Sequence, residues 1–186
     1  MVTVPAFVWR GGFFRRALII GFGVGLVFGA LALLDSGIPL AALIVLVIMG
    51  VFYGVWMPRR MARYWPGAKH LTGDERVTVV RTARRGERIG DPKLAQAVID
   101  YNHGLQRAAE KARPFRWVVW FVLVVAVGMA VGDTVLGSAR DGVASCVYLA
   151  LIGVELFWWP PRQDQLLSNA DRASDIAAHV LEKTRN

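Results

Sequence analysis

The chain has 186 residues, a formal net charge of +8, 55% hydrophobic and only 19% charged residues, and a single cysteine, Cys146. A mean hydropathy of +0.41 with so few charges excludes an ordinary soluble enzyme and a disordered chain, and one cysteine excludes a disulfide scaffold. The apolar residues fall into four long blocks rather than amphipathic stripes, which predicts an all-α, polytopic membrane protein.

Crossing a hydrocarbon layer of about 30 Å takes about 20 helical residues. The first block, residues 17–34, and the second, 38–57, carry no charge. The third, 117–136, contains one acid, Asp133, and the fourth, 142–159, one acid, Glu155. None alternates as a barrel strand would, and an open strand would leave backbone groups unpaired in lipid. Arg15 and Arg16 precede the first block, but the apolar run exceeds a signal-peptide core and leads straight into a second span. The predicted organisation is an arm with two transmembrane helices over 1–57, a cytoplasmic basic helical hairpin over 58–116, two more spans over 117–159, and a cytoplasmic amphipathic helix over 160–186.

Within the long loop, Thr72-Gly73-Asp74-Glu75 fits a capping box, so a helix is predicted to about Arg85, stopped by Gly86. Asp91 and Pro92 restart a helix whose apolar face is Leu94, Val98, Tyr101, Leu105 and Ala108. That face must bury itself on the first helix, the tail or a partner. Pro160 and Pro161 are expected to break the fourth span. After them Leu166, Leu167, Ala170, Ala173, Ala177, Val180 and Leu181 repeat at helical spacing.

The arm, long loop and tail hold 21 of the 22 basic residues, which predicts that they and both termini face the cytoplasm. All seven tryptophans, Trp9, Trp56, Trp65, Trp117, Trp120, Trp158 and Trp159, fall near the cytoplasmic interface, as an aromatic belt would. This topology accounts for the basic charge, so no nucleic-acid partner is expected. Arg84, Arg85 and Arg88 cluster at the hairpin turn and are candidate contacts to anionic phospholipids, or else solvated residues obeying the same charge rule.

Gly21, Gly25 and Gly29 lie on one face of the first span, with Gly23 beside them. Gly128 and Gly132 repeat the spacing in the third, flanked by Ala126 and Ala130. Bare strips of this kind let helix backbones approach closely in lipid. They predict that spans one and three pack together, or that one of them meets a partner subunit.

His70, His103 and His179 are dispersed, and Cys146 reads as a small buried hydrophobe. No Walker loop, kinase set or nucleophile elbow is present. No metal, cofactor or catalytic residue is therefore expected. Asp133 and Glu155 are the intramembrane acids. Such groups are costly in lipid and often functional, but each lies about one turn from a membrane face.

The run Val80-Arg81-Thr82-Ala83-Arg84-Arg85-Gly86-Glu87-Arg88-Ile89-Gly90-Asp91-Pro92-Lys93-Leu94-Ala95 resembles a phrase in small four-span membrane proteins of actinobacteria, where it lies between the second and third spans. A ratio of 18 Arg to 4 Lys agrees with a high-GC genome. The layout is also similar to accessory subunits of mycobacterial membrane machines such as the MCE-type lipid importers. The resemblance implies a non-catalytic accessory subunit of a larger inner-membrane complex, with other membrane subunits as partners. The alternative is a small oligomeric transporter or channel using Asp133 or Glu155.

Overall fold

The computed structural model describes the backbone of residues 4–136 and 139–185, with the side chains in that range except those at 115, 116, 119, 129, 130, 132–136, 139–141, 155, 184 and 185. Among the described residues every regular element is helical. A 3-10 helix, Ala6–Arg10, precedes α1 (Phe13–Ser36) and α2 (Pro39–Tyr64). A second 3-10 turn, Pro66–His70, leads to α3 (Gly73–Arg85), and Pro92–Leu94 opens α4 (Ala95–Ala112). Then follow α5 (Arg116–Leu136), α6 (Ala139–Gly153), a π-helical turn Val154–Trp158, and α7 (Trp159–Arg185).

Among the described residues three helices are long and apolar enough to cross a membrane: Phe13–Ser36, Pro39–Tyr64 and the continuous stretch Gly142–Lys183. Only 17%, 6% and 6% of their apolar windows are buried. Outward apolar surface on that scale would be untenable in water and is normal against lipid. The chain is a membrane-embedded, all-helical protein.

Pro160 and Pro161 do not end a helix, contrary to the sequence expectation. The chain passes from α6 through the π turn into α7 without interruption. In the widened turn the Trp159 N–H bonds to the Val154 carbonyl, five residues back. The prolines follow this widened turn directly, where the hydrogen-bond register has already shifted from the i to i−4 pattern that a proline would otherwise break.

The chain divides into two compact units. The first comprises Met1–Ile19, Gly54–Lys111 and Arg162–Asn186; the second comprises Ile20–Tyr53 and Ala112–Pro161.

The first unit is built around aromatic residues. Trp9 is 0% exposed, and its ring centroid lies 5.2 Å from Trp65 and 6.0 Å from Tyr101, both edge-on. Trp65 and Tyr101 are 5.0 Å apart. Each such pair contributes about 0.5–1.5 kcal/mol beyond the area it buries. Met61, Val79, Val80, Val98 and Leu105 complete the core. Trp9 and Trp65 are therefore interior residues rather than members of an interfacial belt. Their rings find a dry, packed site against Tyr101, which removes more surface from water than a headgroup layer would. Trp56, Trp117, Trp120 and Trp158 are exposed, as a belt requires.

The local signals of the loop are realised here. The Thr72 backbone N–H donates to Glu75 Oε2 at 2.6 Å, and the Glu75 N–H donates to Thr72 Oγ1 at 3.3 Å. Gly86 closes α3 with φ 68°, a conformation that glycine adopts without a Cβ penalty. The α4 face Leu94, Val98, Tyr101, Leu105 and Ala108 is buried throughout. Asp171 of α7 accepts hydrogen bonds from Asn102 and Gln106 of α4, both 2.9 Å, and Ala170, Ala173 and Ala177 are buried beside them. At Gly104 a Cβ would collide with the Tyr64 carbonyl, so only glycine lets α4 reach the end of α2. The element packed on α3 is the N-terminal 3-10 helix. Arg10 Nε donates to Asp74 Oδ1 at 2.8 Å, and Arg84 Nη2 donates to the Val4 carbonyl at 2.5 Å.

In the second unit α5 packs along α6, and Phe28 of α1 stacks on Tyr53 of α2 at 6.3 Å.

Trp9→Ala should cost the first unit about 3–5 kcal/mol, the range for emptying a large buried aromatic site. Phe7→Ala, at a residue 62% exposed, should leave thermal unfolding unchanged. The capping box gives a pH signature. Hydrogen bonds from Thr72 hold the Glu75 carboxyl below its ordinary 4.5. Its contribution is therefore complete above pH 4.5 and is lost as pH falls through the depressed folded value. Hydrogen exchange at the α3 N-terminus should accelerate in that acid window, and Glu75→Gln should abolish the pH dependence.

Candidate functional site

In the first unit several basic residues help to hold the fold. Arg16, 8% exposed, stands 4.9 Å over the Trp9 ring and donates from Nη2 to the Trp9 carbonyl at 2.9 Å. A desolvated cation over an indole contributes on the order of 2 kcal/mol. Arg60 lies between the rings of Trp56 and Tyr64, at 5.1 and 5.5 Å. Arg76 Nε donates to the Ala68 carbonyl at 2.6 Å. Of the three arginines singled out in the sequence, Arg84 is half-buried, binds Val4, and carries a carbonyl that accepts from Asn169 Nδ2 at 2.9 Å. Burial keeps the Tyr101 hydroxyl above its ordinary pKa, and the neighbouring Arg84 charge pulls it the other way. Arg85 and Arg88 are exposed, with Arg85 only 3.9 Å from Glu87. The structure thus separates Arg84 from the other two.

In the second unit the glycine face of α1 meets α2. A Cβ on Gly25 would stand 2.6 Å from the Leu46 carbonyl oxygen and 3.3 Å from Gly50 Cα. On Gly29 it would stand 3.0 Å from Leu46 Cβ, and on Gly50 it would stand 3.1 Å from the Gly21 carbonyl. The neighbour is the second span rather than the third, because a short turn at Gly37 folds α2 directly back along α1. Gly50 was missed in the sequence, although Gly50 and Gly54 show the same four-residue spacing. A Cβ on Gly128 would meet nothing within 4 Å. The side chains of Asp133 and Glu155, and the surroundings of Gly132, lie outside the described residues. Cys146 is exposed on α6, not buried, because the face of that helix turned inward carries Ala144 and Ser145.

A cavity of about 350 Å³ lies in the second unit between the end of α1 and the facing surfaces of α5 and α6. Phe121, Val122, Val125 and Ala126 line one side, and Ser145, Tyr148 and Ile152 the other. Asp35, in the last turn of α1, supplies its one charge. The cavity joins residues that sequence spacing cannot associate. Their one visible signal is that Asp35 interrupts an apolar run before Ser36-Gly37. Among the described residues no three His, Cys, Asp or Glu side chains gather as metal ligands would.

No protein-family model matches the chain, and no curated protein and no solved structure shows significant similarity to it.

The close approach of α1 and α2 generates a paired test. Gly25→Ala should destabilise the protein in detergent by about 1–3 kcal/mol through overpacking, whereas Gly128→Ala should be neutral. Equal effects would deny the first glycine any special packing role.

Proposed function

We propose that this protein is a non-catalytic accessory subunit of a larger bacterial inner-membrane complex. In this reading it has four spans, with Met1, the long loop and Asn186 in the cytoplasm. The observation that carries the proposal is the composition of the first unit. Its three segments, Met1–Ile19, Gly54–Lys111 and Arg162–Asn186, are those that hold nearly all the basic residues. Segments folded into one body lie on one side of a membrane. The intervening stretches, Ile20–Tyr53 and Ala112–Pro161, must then each cross an even number of times. Two crossings apiece make α5 the fourth span, and the positive-inside rule puts the shared side in the cytoplasm.

The polar side chains of that body support a structural role. Asn102, Gln106, Asn169, Arg16, Arg76 and Arg84 are engaged in holding its segments together. Its exposed cations, including Arg81, Arg85 and Arg88, offer a surface to anionic phospholipid headgroups and to acidic patches of partner subunits. The layout resemblance supports a lipid-transport machine as the assembly.

Two measurements test this. In a Cys146→Ser background, Gly90→Cys and Glu182→Cys should react with a membrane-impermeant maleimide only after cells are opened, while Ser36→Cys should react in intact cells. External labelling at Gly90 would overturn the topology. Purification in mild detergent should recover a defined set of other membrane subunits. Recovery as a homo-oligomer alone, with substrate uptake in proteoliposomes, would instead establish the small transporter.

A further inference from the structure

We propose that the cavity between α1, α5 and α6 binds a single-chain alkyl amine, its chain among the apolar side chains and its ammonium on the Asp35 carboxylate. Three observations carry this. The lining is almost wholly aliphatic and aromatic, with Phe121, Val125 and Ile152 on opposing helices. The volume, about 350 Å³, stands at the low end of small-molecule sites. It suits one chain rather than a two-chain phospholipid. The polar groups converge at one place, where Asp35 is accompanied by Tyr148 and Ser145.

Charge complementarity selects the head group. Among the described residues no lysine or arginine pairs with Asp35. Asp35 is exposed at the mouth of the cavity, where water solvates its carboxylate, and a ligand cation would add a counter-charge there. An ammonium supplies that charge, and the hydroxyl oxygen of Tyr148 can accept a second of its protons. A fatty acid would place two carboxylates together and be excluded. A fatty alcohol would gain only a neutral hydrogen bond. The selectivity expected is thus amine over alcohol over acid.

The test uses the full chain in phosphatidylcholine nanodiscs and a decylamine analogue bearing a diazirine on its chain. Irradiation and peptide mapping should place the label at Tyr148 and Ile152, which line the cavity and are less exposed than the outward residues of α6. Decylamine at about ten times its Kd should reduce that labelling about tenfold, as competition for one site requires. Decanol and decanoate should reduce it by less than about twofold. Asp35→Asn alters an exposed residue, so its thermal unfolding should match the parent while the preference for the amine disappears. Ala126→Trp should fill the cavity and remove the labelling altogether. Label spread equally over outward residues such as Val143 and Val154, equal competition by all three chains, or an amine preference retained in a folded Asp35→Asn protein would each overturn the proposal. None of these outcomes bears on whether the protein is an accessory subunit, which co-purification decides separately.

Discussion

The mutual edge-on contact of Trp9, Trp65 and Tyr101 is the one on which the first unit depends. The Trp9 indole arrives from a five-residue 3-10 helix that could not be stable alone. It is held from above by the Arg16 guanidinium. Around this contact the end of α2, α3 and α4 close their apolar faces, and α7 seals the far side of α4 through Asp171. The unit's core is thus assembled from distant pieces of the chain. Its stability rests on burial of large side chains, supplemented by Arg16, Arg76 and Arg84, which bind backbone carbonyls, and by Arg10, which binds Asp74.

The second unit obeys the opposite solvent rule. In lipid, burying a leucine gains little over leaving it exposed, so helices associate through close backbone approach and shape. The α1–α2 contact at Gly25, Gly29 and Gly50 uses that mechanism. The same residue type serves both units for one geometric reason. At Gly104 the missing Cβ admits the Tyr64 carbonyl, and at Gly25 it admits that of Leu46.

Features governed by local chemistry were legible in the sequence. The Thr72–Glu75 box, the Gly86 stop, the Asp91-Pro92 restart and the buried face of α4 each depend on residues within one or two turns. The apolar blocks were legible because lipid demands a length. What escaped depends on contacts between residues far apart in sequence. Trp9 and Trp65 look alike to a rule that assigns tryptophan to interfaces, and only their pairing with Tyr101 reveals a core. Arg84 and Arg85 are neighbours in sequence but point into different surroundings. The prolines at 160 and 161 were read as a break because a π turn is invisible to a 3.6-residue period. The cavity at Asp35 was hidden for the same reason as the core, since three helices contribute to it.

The discontinuity of the first unit also imposes an order on biogenesis. The N-terminal 3-10 helix leaves the ribosome long before α4, and α7 emerges after every other part of the unit. Until then the Asn102 and Gln106 side of α4 lacks its partner Asp171, and Trp9 must wait for Tyr101. Closure of the unit is thus a late event that follows insertion of the helices between its segments, since long-range contacts form only after the intervening chain is placed. A chain that stalled or inserted with the wrong sidedness would keep this face open. That open surface is the physical difference between an unfinished chain and one whose distant segments have closed on one another.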